Sequence, residues 1–248
     1  MGQTKVLWLH GYTLDSRSWE TMWSLLPGWH HIGLDLPGHG RSNPVDDFRD
    51  LRQIGQRLAD VCVEHHIEHV VALSFGTAMA TQLAVEIEPK LRSLVLAGPT
   101  LAGMPQDPEV APVYQKLFML YHQGGDREEL VQTWMGCRAW RGIDELPALK
   151  ESLGTLVREH SWQELNGFGM MRLMQPEQTP EPLRDVPTPT LLLVGDREMQ
   201  VFKDCATVLH DNLPDCDWFT LPDTDHLCLL QTPELSAAQI ARHLERYS

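Results

Sequence analysis

Short apolar runs alternate with amphipathic stretches over most of this 248-residue chain. A nearly continuous apolar run predicts a strand buried on both faces at residues 5–9, and further strands are predicted at residues 31–36, 69–73, 93–98, 190–195 and 217–221. Helical spacing predicts helices over residues 16–26, 48–65, 75–87, 202–213 and 233–246, the third ending before Pro89. Strand–helix alternation with crossover connections predicts an α/β fold with a mostly parallel, doubly wound sheet of about six strands.

This alternation stops between Pro99 and Pro189, where the pattern favours helices only, at residues 113–122, 128–135, 149–160 and 162–174. We therefore divide the chain into an α/β core of residues 1–98 and 190–248 and a helical lid inserted at residues 99–189. The lid is rich in Trp and Met, among them Trp134 and Met171. Such side chains are typical of an apolar cavity that adapts to its ligand.

The third predicted strand ends abruptly at Ser74, with small residues two positions before it (Ala72) and two positions after it (Gly76). A serine on a sharp strand-to-helix turn is a nucleophile elbow, and its crowded backbone requires small neighbours. The usual pattern is Gly-x-Ser-x-Gly, so Ala72 keeps the small size but departs from the motif. The same stretch fits a buried strand whose final serine caps a helix.

Residues whose side chains can take part in catalysis, and glycines that allow sharp turns, directly follow the predicted strands. They are His10-Gly11, Asp35, Ser74, Gly98, the stretch 195–198 and Asp225-His226. Ligands of open parallel sheets bind beyond the carboxyl ends of the strands. The coincidence across six strands therefore predicts a functional site at this edge, more strongly than any one motif does.

These residues, with the string Asp-Leu-Pro-Gly-His-Gly-Arg-Ser at 35–42, resemble the α/β-hydrolase superfamily over essentially the whole chain. The resemblance is to the short-lid subgroup that includes the menaquinone-pathway enzyme of this fold, pimeloyl-ester esterases and small thioesterases. In that superfamily two antiparallel strands usually precede the strand that leads to His-Gly. Only about four residues precede it here, so we expect both antiparallel strands to be missing.

The resemblance implies a catalytic triad in the chain order Ser, acid, His. Ser74 is then the nucleophile, and His226 is the base that takes its proton. The acid is expected at Glu198, where the family most often has the Asp of Gly-x-x-Asp. Asp196, two residues nearer the strand, is the alternative acid.

The resemblance also implies an oxyanion hole formed by the backbone N–H groups of Tyr12 and Phe75. The tyrosine hydroxyl is a further candidate donor. We expect substrate contacts from four residues, namely Gly11, Trp134, Arg138 and Met171. Arg138, like Arg141 and Arg172, would either pair with a substrate carboxylate or carrier phosphate or form an ordinary surface ion pair.

Composition and net charge limit the binding partners and the cellular compartment that we expect for this protein. The net charge of −14 argues against binding to nucleic acid or to an anionic membrane. No apolar run approaches a membrane span, and the first strand comes too early for a signal peptide. Five scattered cysteines without a Cys-x-x-Cys pair predict unpaired thiols in a reducing, cytoplasmic setting. The histidines at 65–69 do not match His-Glu-x-x-His, and no phosphate-binding glycine loop occurs, so we expect no metal and no cofactor.

The sequence therefore predicts a serine hydrolase that cleaves an ester or thioester of a small, largely apolar acyl group through an acyl-enzyme on Ser74. The acyl group would be free or bound to a carrier, and the oligomeric state is left open. Two alternatives remain. One is a non-hydrolytic enzyme of the same fold, such as a lyase, a cyclase or an enzyme that cleaves C–C bonds, and the other is a receptor that retains the site.

Overall fold

A six-stranded parallel sheet forms the centre of the fold. The computed structural model describes residues 3–87 and 90–248, so Pro89 lies outside the described residues. All five strand pairings are parallel, as predicted, and no antiparallel strand occurs in the described ranges. In chain order the strands are β1 (Lys5–Leu9), β2 (His30–Leu34), β3 (His69–Leu73), β4 (Ser93–Ala97), β5 (Thr190–Gly195) and β6 (Cys216–Leu221).

The helices of the α/β core follow the predicted alternation with the strands. They are α1 (Glu20–Leu25), α2 (Leu51–Glu64) and α3 (Phe75–Glu86) before the inserted segment. After it come α9 (Gln200–Asn212), α10 (Cys228–Gln231) and α11 (Pro233–Arg246). Short 3₁₀ helices at Ser16–Trp19 and Val45–Asp47 complete the core.

The inserted segment, residues 99–189, lies between β4 and β5 and is helical where it is regular. It contains α4 (Ala111–His122), α5 (Arg127–Met135), α6 (Pro147–Glu159), α7 (Gly169–Met174) and α8 (Pro180–Leu183). Two 3₁₀ helices, Arg138–Ile143 and Gln163–Asn166, interrupt these. The continuous helix predicted over 162–174 is wrong, because the 3₁₀ helix Gln163–Asn166 ends at Gly167, whose backbone is extended with φ −141° and ψ −159°, and α7 begins only at Gly169.

The strand order β2-β1-β3-β4-β5-β6 fixes the faces that the helices cover. The connection from β1 to β2 runs in one direction across the sheet, and the later connections run in the other. Because crossovers are right-handed, α1 lies on the face opposite to α2, α3 and α9. The closing helix α11 packs against α1, and α2 packs against α3. Both faces of the sheet are therefore covered, as the apolar strands require.

The change of direction makes the gap between β1 and β3 the switch point of the sheet, where ligands of such folds bind. The two strands are in register, with Leu9 opposite Ala72. Residues His10 and Gly11 therefore leave the sheet beside Ser74. This register brings two segments that are more than sixty residues apart in sequence to one place.

Close packing at this point explains the glycine after the elbow. A Cβ atom on Gly76 would lie 2.6 Å from the carbonyl oxygen of Leu9 and 2.7 Å from that of His10. Both contacts are with backbone, which cannot move aside as a flexible side chain can. The small residue at position 76 is therefore required by the approach of α3 to the end of β1.

No helix in the described part of the chain is long and apolar enough to span a membrane.

We expect Gly76→Ala to destabilise the protein by about 1–3 kcal/mol through overpacking, although alanine favours helix over glycine. Gly28→Ala is the matched control, because its added Cβ would have no atom within 4 Å. That change should stay within about 0.5 kcal/mol of wild type. Urea unfolding measures both free energies, and equal stabilities for the two variants would contradict the packing argument.

Candidate active site

Ser74 sits at the sharp turn between β3 and α3 with φ 52° and ψ −123°. A positive φ at a residue other than glycine costs about 1–3 kcal/mol and persists only where the surroundings enforce it. The backbone N–H of Ser74 still donates to the carbonyl of Ala97 at 2.9 Å, which keeps the serine anchored to β4. The sequence thus forms a strained strand–turn–helix that presents the serine hydroxyl at the edge of the sheet.

Three side chains form a continuous hydrogen-bonded chain at this edge. Ser74 Oγ lies 2.7 Å from His226 Nε2, and His226 Nδ1 lies 2.9 Å from Glu198 Oε2. The second carboxylate oxygen, Oε1, accepts the backbone N–H of Met199 at 2.8 Å. Because an ionised carboxylate only accepts, Nδ1 carries the ring proton and Nε2 is free to accept the serine proton.

Both Glu198 and His226 are buried, which strengthens the electrostatic interaction between them. The side chain of Glu198 is 0 % exposed and that of His226 is 5 % exposed. The ring of Phe202 stacks on the imidazole of His226, with centroids 4.1 Å apart. A charge on the imidazole would therefore be stabilised mainly by Glu198 rather than by water.

Asp196, the alternative acid, lies in a different place. Its Oδ1 accepts the backbone N–H of Thr224 at 3.2 Å. Backbone hydrogen bonds to Asp223 and Thr224 lower the pKa of Asp196. The structure therefore brings Glu198 to His226, while Asp196 braces the loop that precedes the histidine.

The loop after β1 approaches Ser74 closely. A Cβ atom on Gly11 would lie 3.4 Å from Ser74 Cβ. His10 Nδ1 donates to the carbonyl of Gly11 at 2.8 Å, and His10 Nε2 accepts the N–H of Leu36 at 2.9 Å. Burial lowers the pKa of His10 to about 4, so its ring is neutral at pH 7 and fits both roles. The neutral histidine thereby fixes the loop that carries Tyr12.

A cavity of about 890 Å³ opens onto Ser74 and His226. Its walls are mostly apolar and come largely from the inserted segment, including Met104, Tyr114, Phe118, Leu165, Met170 and Met174. Two carboxylate residues, Asp107 and Glu164, also line it. Among the described residues, no lysine or arginine does so.

The structure places three of the four predicted substrate contacts at this cavity. Gly11, Trp134 and Met171 line it, and Met171 is 49 % exposed at its mouth. Arg138 lies outside and forms an ion pair with Glu109. Arg141 also contacts Glu109, at 3.7 Å. These two arginines are therefore at the surface, where they do not face a ligand in the cavity.

Arg172 likewise points away from the cavity, because its guanidinium donates to the backbone carbonyls of Phe48 and Arg49. It joins the inserted segment to the loop before α2.

Sequence reasoning did not identify Phe202 or Glu164. Phe202 follows the acid loop near the start of α9, and no motif marks a ring that stacks on the histidine. Glu164 is a buried carboxylate in the inserted segment, where charged residues ordinarily lie on the surface. Only the three-dimensional structure reveals either residue.

The family comparison agrees with this geometry. A family model described as "Alpha/beta hydrolase family" matches residues 6–239. The chain belongs to the α/β-hydrolase family.

Three relatives of this α/β hydrolase span most of its length. It is 32% identical to the 2-succinyl-6-hydroxy-2,4-cyclohexadiene-1-carboxylate synthase of Serratia proteamaculans, over 96% of this chain and 92% of that protein. It is 23% identical to the pimeloyl-[acyl-carrier protein] methyl ester esterase of Pectobacterium atrosepticum, over 96% and 93%. The solved structure of MenH from S. aureus superposes with a TM-score of 0.82 at 18% identity, over 98% and 94%. Matches to several other curated relatives are partial and span 28% to 39% of those proteins.

No group of three or more His, Cys, Asp or Glu side chains that could hold a metal ion occurs over residues 3–87 and 90–248.

We expect Glu198→Gln to lower kcat by about 10³–10⁴-fold, because an amide neither holds the required tautomer nor stabilises an imidazolium. Asp196→Asn is the matched control and should stay within about threefold of wild type. Ester turnover and the rate of covalent labelling by a fluorophosphonate measure both variants. A larger loss in Asp196→Asn would reassign the acid.

Proposed function

We propose that this α/β hydrolase is a serine hydrolase that cleaves a carboxylic ester or thioester of a small, largely apolar acyl group. The observation that carries the proposal is the buried chain Ser74–His226–Glu198, with distances of 2.7 and 2.9 Å, at the floor of the cavity. An inert pocket would not require a strained serine, a tautomer-fixed histidine and a buried carboxylate in line.

In the proposed reaction, Ser74 Oγ attacks the carbonyl carbon while its proton passes to His226 Nε2. Glu198 stabilises the imidazolium, and the N–H groups of Tyr12 and Phe75 donate hydrogen bonds to the negatively charged carbonyl oxygen. The tetrahedral intermediate collapses as His226 returns the proton to the leaving alcohol or thiol. This leaves an acyl group on Ser74.

Water completes the cycle. His226 removes a proton from water, which attacks the acyl carbon and forms a second tetrahedral intermediate. Collapse of that intermediate breaks the acyl–oxygen bond to Ser74, and the proton on His226 returns to Ser74 Oγ. The products are the carboxylic acid and the regenerated enzyme.

The wall of the cavity supports an uncharged acyl group. Aromatic and Met side chains provide apolar, adaptable contacts. Asp107 and Glu164 are the acidic residues of the wall, and no lysine or arginine among the described residues lines it. An acyl group that carried its own carboxylate would be desolvated there without an opposite charge, which is costly. We further propose that residues 99–189 act as the lid that shapes this cavity.

A second candidate is a non-hydrolytic reaction on the same three residues. The similarity to the Serratia proteamaculans synthase favours it, since that relative is 32% identical over nearly the whole chain. The name of that enzyme describes a carboxylate with a succinyl group, whereas no lysine or arginine among the described residues lines this cavity. The lack of such a partner for a carboxylate favours the hydrolase.

We expect p-nitrophenyl butyrate to be hydrolysed with a kcat/KM at least about tenfold above that of p-nitrophenyl hydrogen succinate, a preference of about 1.4 kcal/mol. The two esters share a leaving group and a four-carbon acyl chain, so they differ in the terminal charge. Ser74→Ala should abolish both activities. Faster cleavage of the succinate ester would contradict the neutral substrate class, and turnover that survives Ser74→Ala would contradict the mechanism.

A further inference from the structure

Two side chains of the inserted segment hold the loop that follows β1. Tyr12 donates its hydroxyl hydrogen to Glu164 Oε1 at 2.6 Å. Trp134 Nε1 donates to Thr13 Oγ1 at 2.6 Å. Thr13 has a positive φ of 63°, so this loop is conformationally strained next to the candidate oxyanion hole. Neither contact belongs to the Ser74–His226–Glu198 chain.

The peptide between Gly11 and Tyr12 is fixed from its carbonyl side by the core. The carbonyl of Gly11 accepts from His10 Nδ1 at 2.8 Å and from the N–H of Leu14 at 3.2 Å. In a planar trans peptide, the N–H points opposite to the carbonyl. These bonds therefore constrain the direction of the Tyr12 N–H, and the Tyr12 side chain is a second anchor of the residue that carries it.

The side chain of Tyr12 is packed among other rings. The ring of Tyr12 contacts the rings of five residues, namely His39, Phe75, Tyr114, Trp134 and His160. Phe75 is the residue that supplies the other predicted oxyanion N–H. Burial and the neighbouring Glu164 raise the pKa of Tyr12 well above its ordinary value, so the hydroxyl keeps its proton and remains a donor.

Glu164 is unusually placed for a carboxylate in a helical insertion. Its side chain is 0 % exposed, and its Oε1 accepts both from Tyr12 and from His160 Nε2, the latter at 3.0 Å. Its Oε2 has no hydrogen-bond partner among the described residues. Burying a carboxylate costs several kcal/mol of folding free energy unless the carboxylate is paired. A surface position would avoid this cost.

We propose that Glu164, held by His160, is a positioning residue that orients Tyr12 for the oxyanion hole. The inserted segment then does more than cover the cavity. It also fixes Tyr12, whose N–H is one of the two groups expected to donate hydrogen bonds to the oxyanion of the transition state. The effect falls on kcat, since the oxyanion forms only during the reaction. This inference rests on the proposed acyl transfer through Ser74.

The test compares Tyr12→Phe, Glu164→Leu and the double variant on p-nitrophenyl butyrate. Each single change should lower kcat about tenfold with KM within about twofold, because the donor is displaced rather than removed. The double variant should be no slower than the slower single variant, since both changes break the same hydrogen bond. Glu164→Gln keeps an acceptor for the Tyr12 hydroxyl and should recover kcat to within about threefold of wild type.

Tyr121→Phe is the matched control for Tyr12→Phe. It also removes a tyrosine hydroxyl, but from a residue of the inserted segment that does not line the cavity. It should leave kcat unchanged. A trifluoromethyl ketone provides a second readout, since its adduct with Ser74 places an oxyanion in the hole. Its inhibition constant should rise in step with the loss of kcat in Tyr12→Phe.

Unchanged kcat in both single variants, losses that multiply in the double variant, or losses in KM alone would overturn the positioning role. So would a folded Glu164→Gln that is as slow as Glu164→Leu. If Glu164→Leu does not fold, the comparison of Tyr12→Phe with wild type by kcat and ketone affinity decides the question. A wild-type protein that neither cleaves esters nor reacts with a fluorophosphonate would instead contradict the proposed function.

Discussion

The close approach of two backbones at the switch point of the sheet is the constraint on which the site depends. The end of β1 lies against the start of α3 so tightly that a Cβ atom on Gly76 would sit 2.6 Å from the Leu9 carbonyl. The same contact places Gly11 beside Ser74. Parallel strand register thus brings the nucleophile and the loop that carries the candidate donor Tyr12 to the same place. This explains how the strained φ of Ser74 can persist, since the packed strands on both sides hold it.

Two buried glutamate–histidine pairs complete the candidate site, and they differ in how their carboxylate oxygens are hydrogen-bonded. Glu198 contacts His226 with one oxygen and the Met199 N–H with the other, so both oxygens are satisfied. Glu164 directs Tyr12 and His160 to a single oxygen. The first pair comes from the core loops and would serve proton transfer in the proposed mechanism. The second comes from the inserted segment and contacts Tyr12, so both parts of the chain would act on the charge that develops on the substrate.

The sheet was predictable because its four inner strands, β1, β3, β4 and β5, are almost entirely buried and appear as continuous apolar runs in the sequence. The edge strands β2 and β6 are partly exposed and have a weaker apolar pattern. The positions of Ser74 and His226 were predictable because parallel strands end at one edge. Glu198 was expected in preference to Asp196 only from the resemblance to the family, since two carboxylates two residues apart differ in the direction that the loop gives each one, which the residues alone do not show. The inserted segment was the least predictable part. Its break at Gly167 and the burial of Glu164 depend on tertiary packing, which no local pattern encodes.

Arg138 shows how a local pattern can mislead about substrate charge. An arginine in a helical insertion above a serine site is a natural partner for a carboxylate, but this one is already paired with Glu109 at the surface. With Arg138 outside the wall, the acidic residues Asp107 and Glu164 line the cavity without a lysine or arginine among the described residues. In a mostly apolar enclosure, a charge on the acyl group would lose its water without gaining an opposite charge. The proposal that the substrate is an uncharged ester, and not a carboxylate of the kind that the related synthase is named for, rests on this argument.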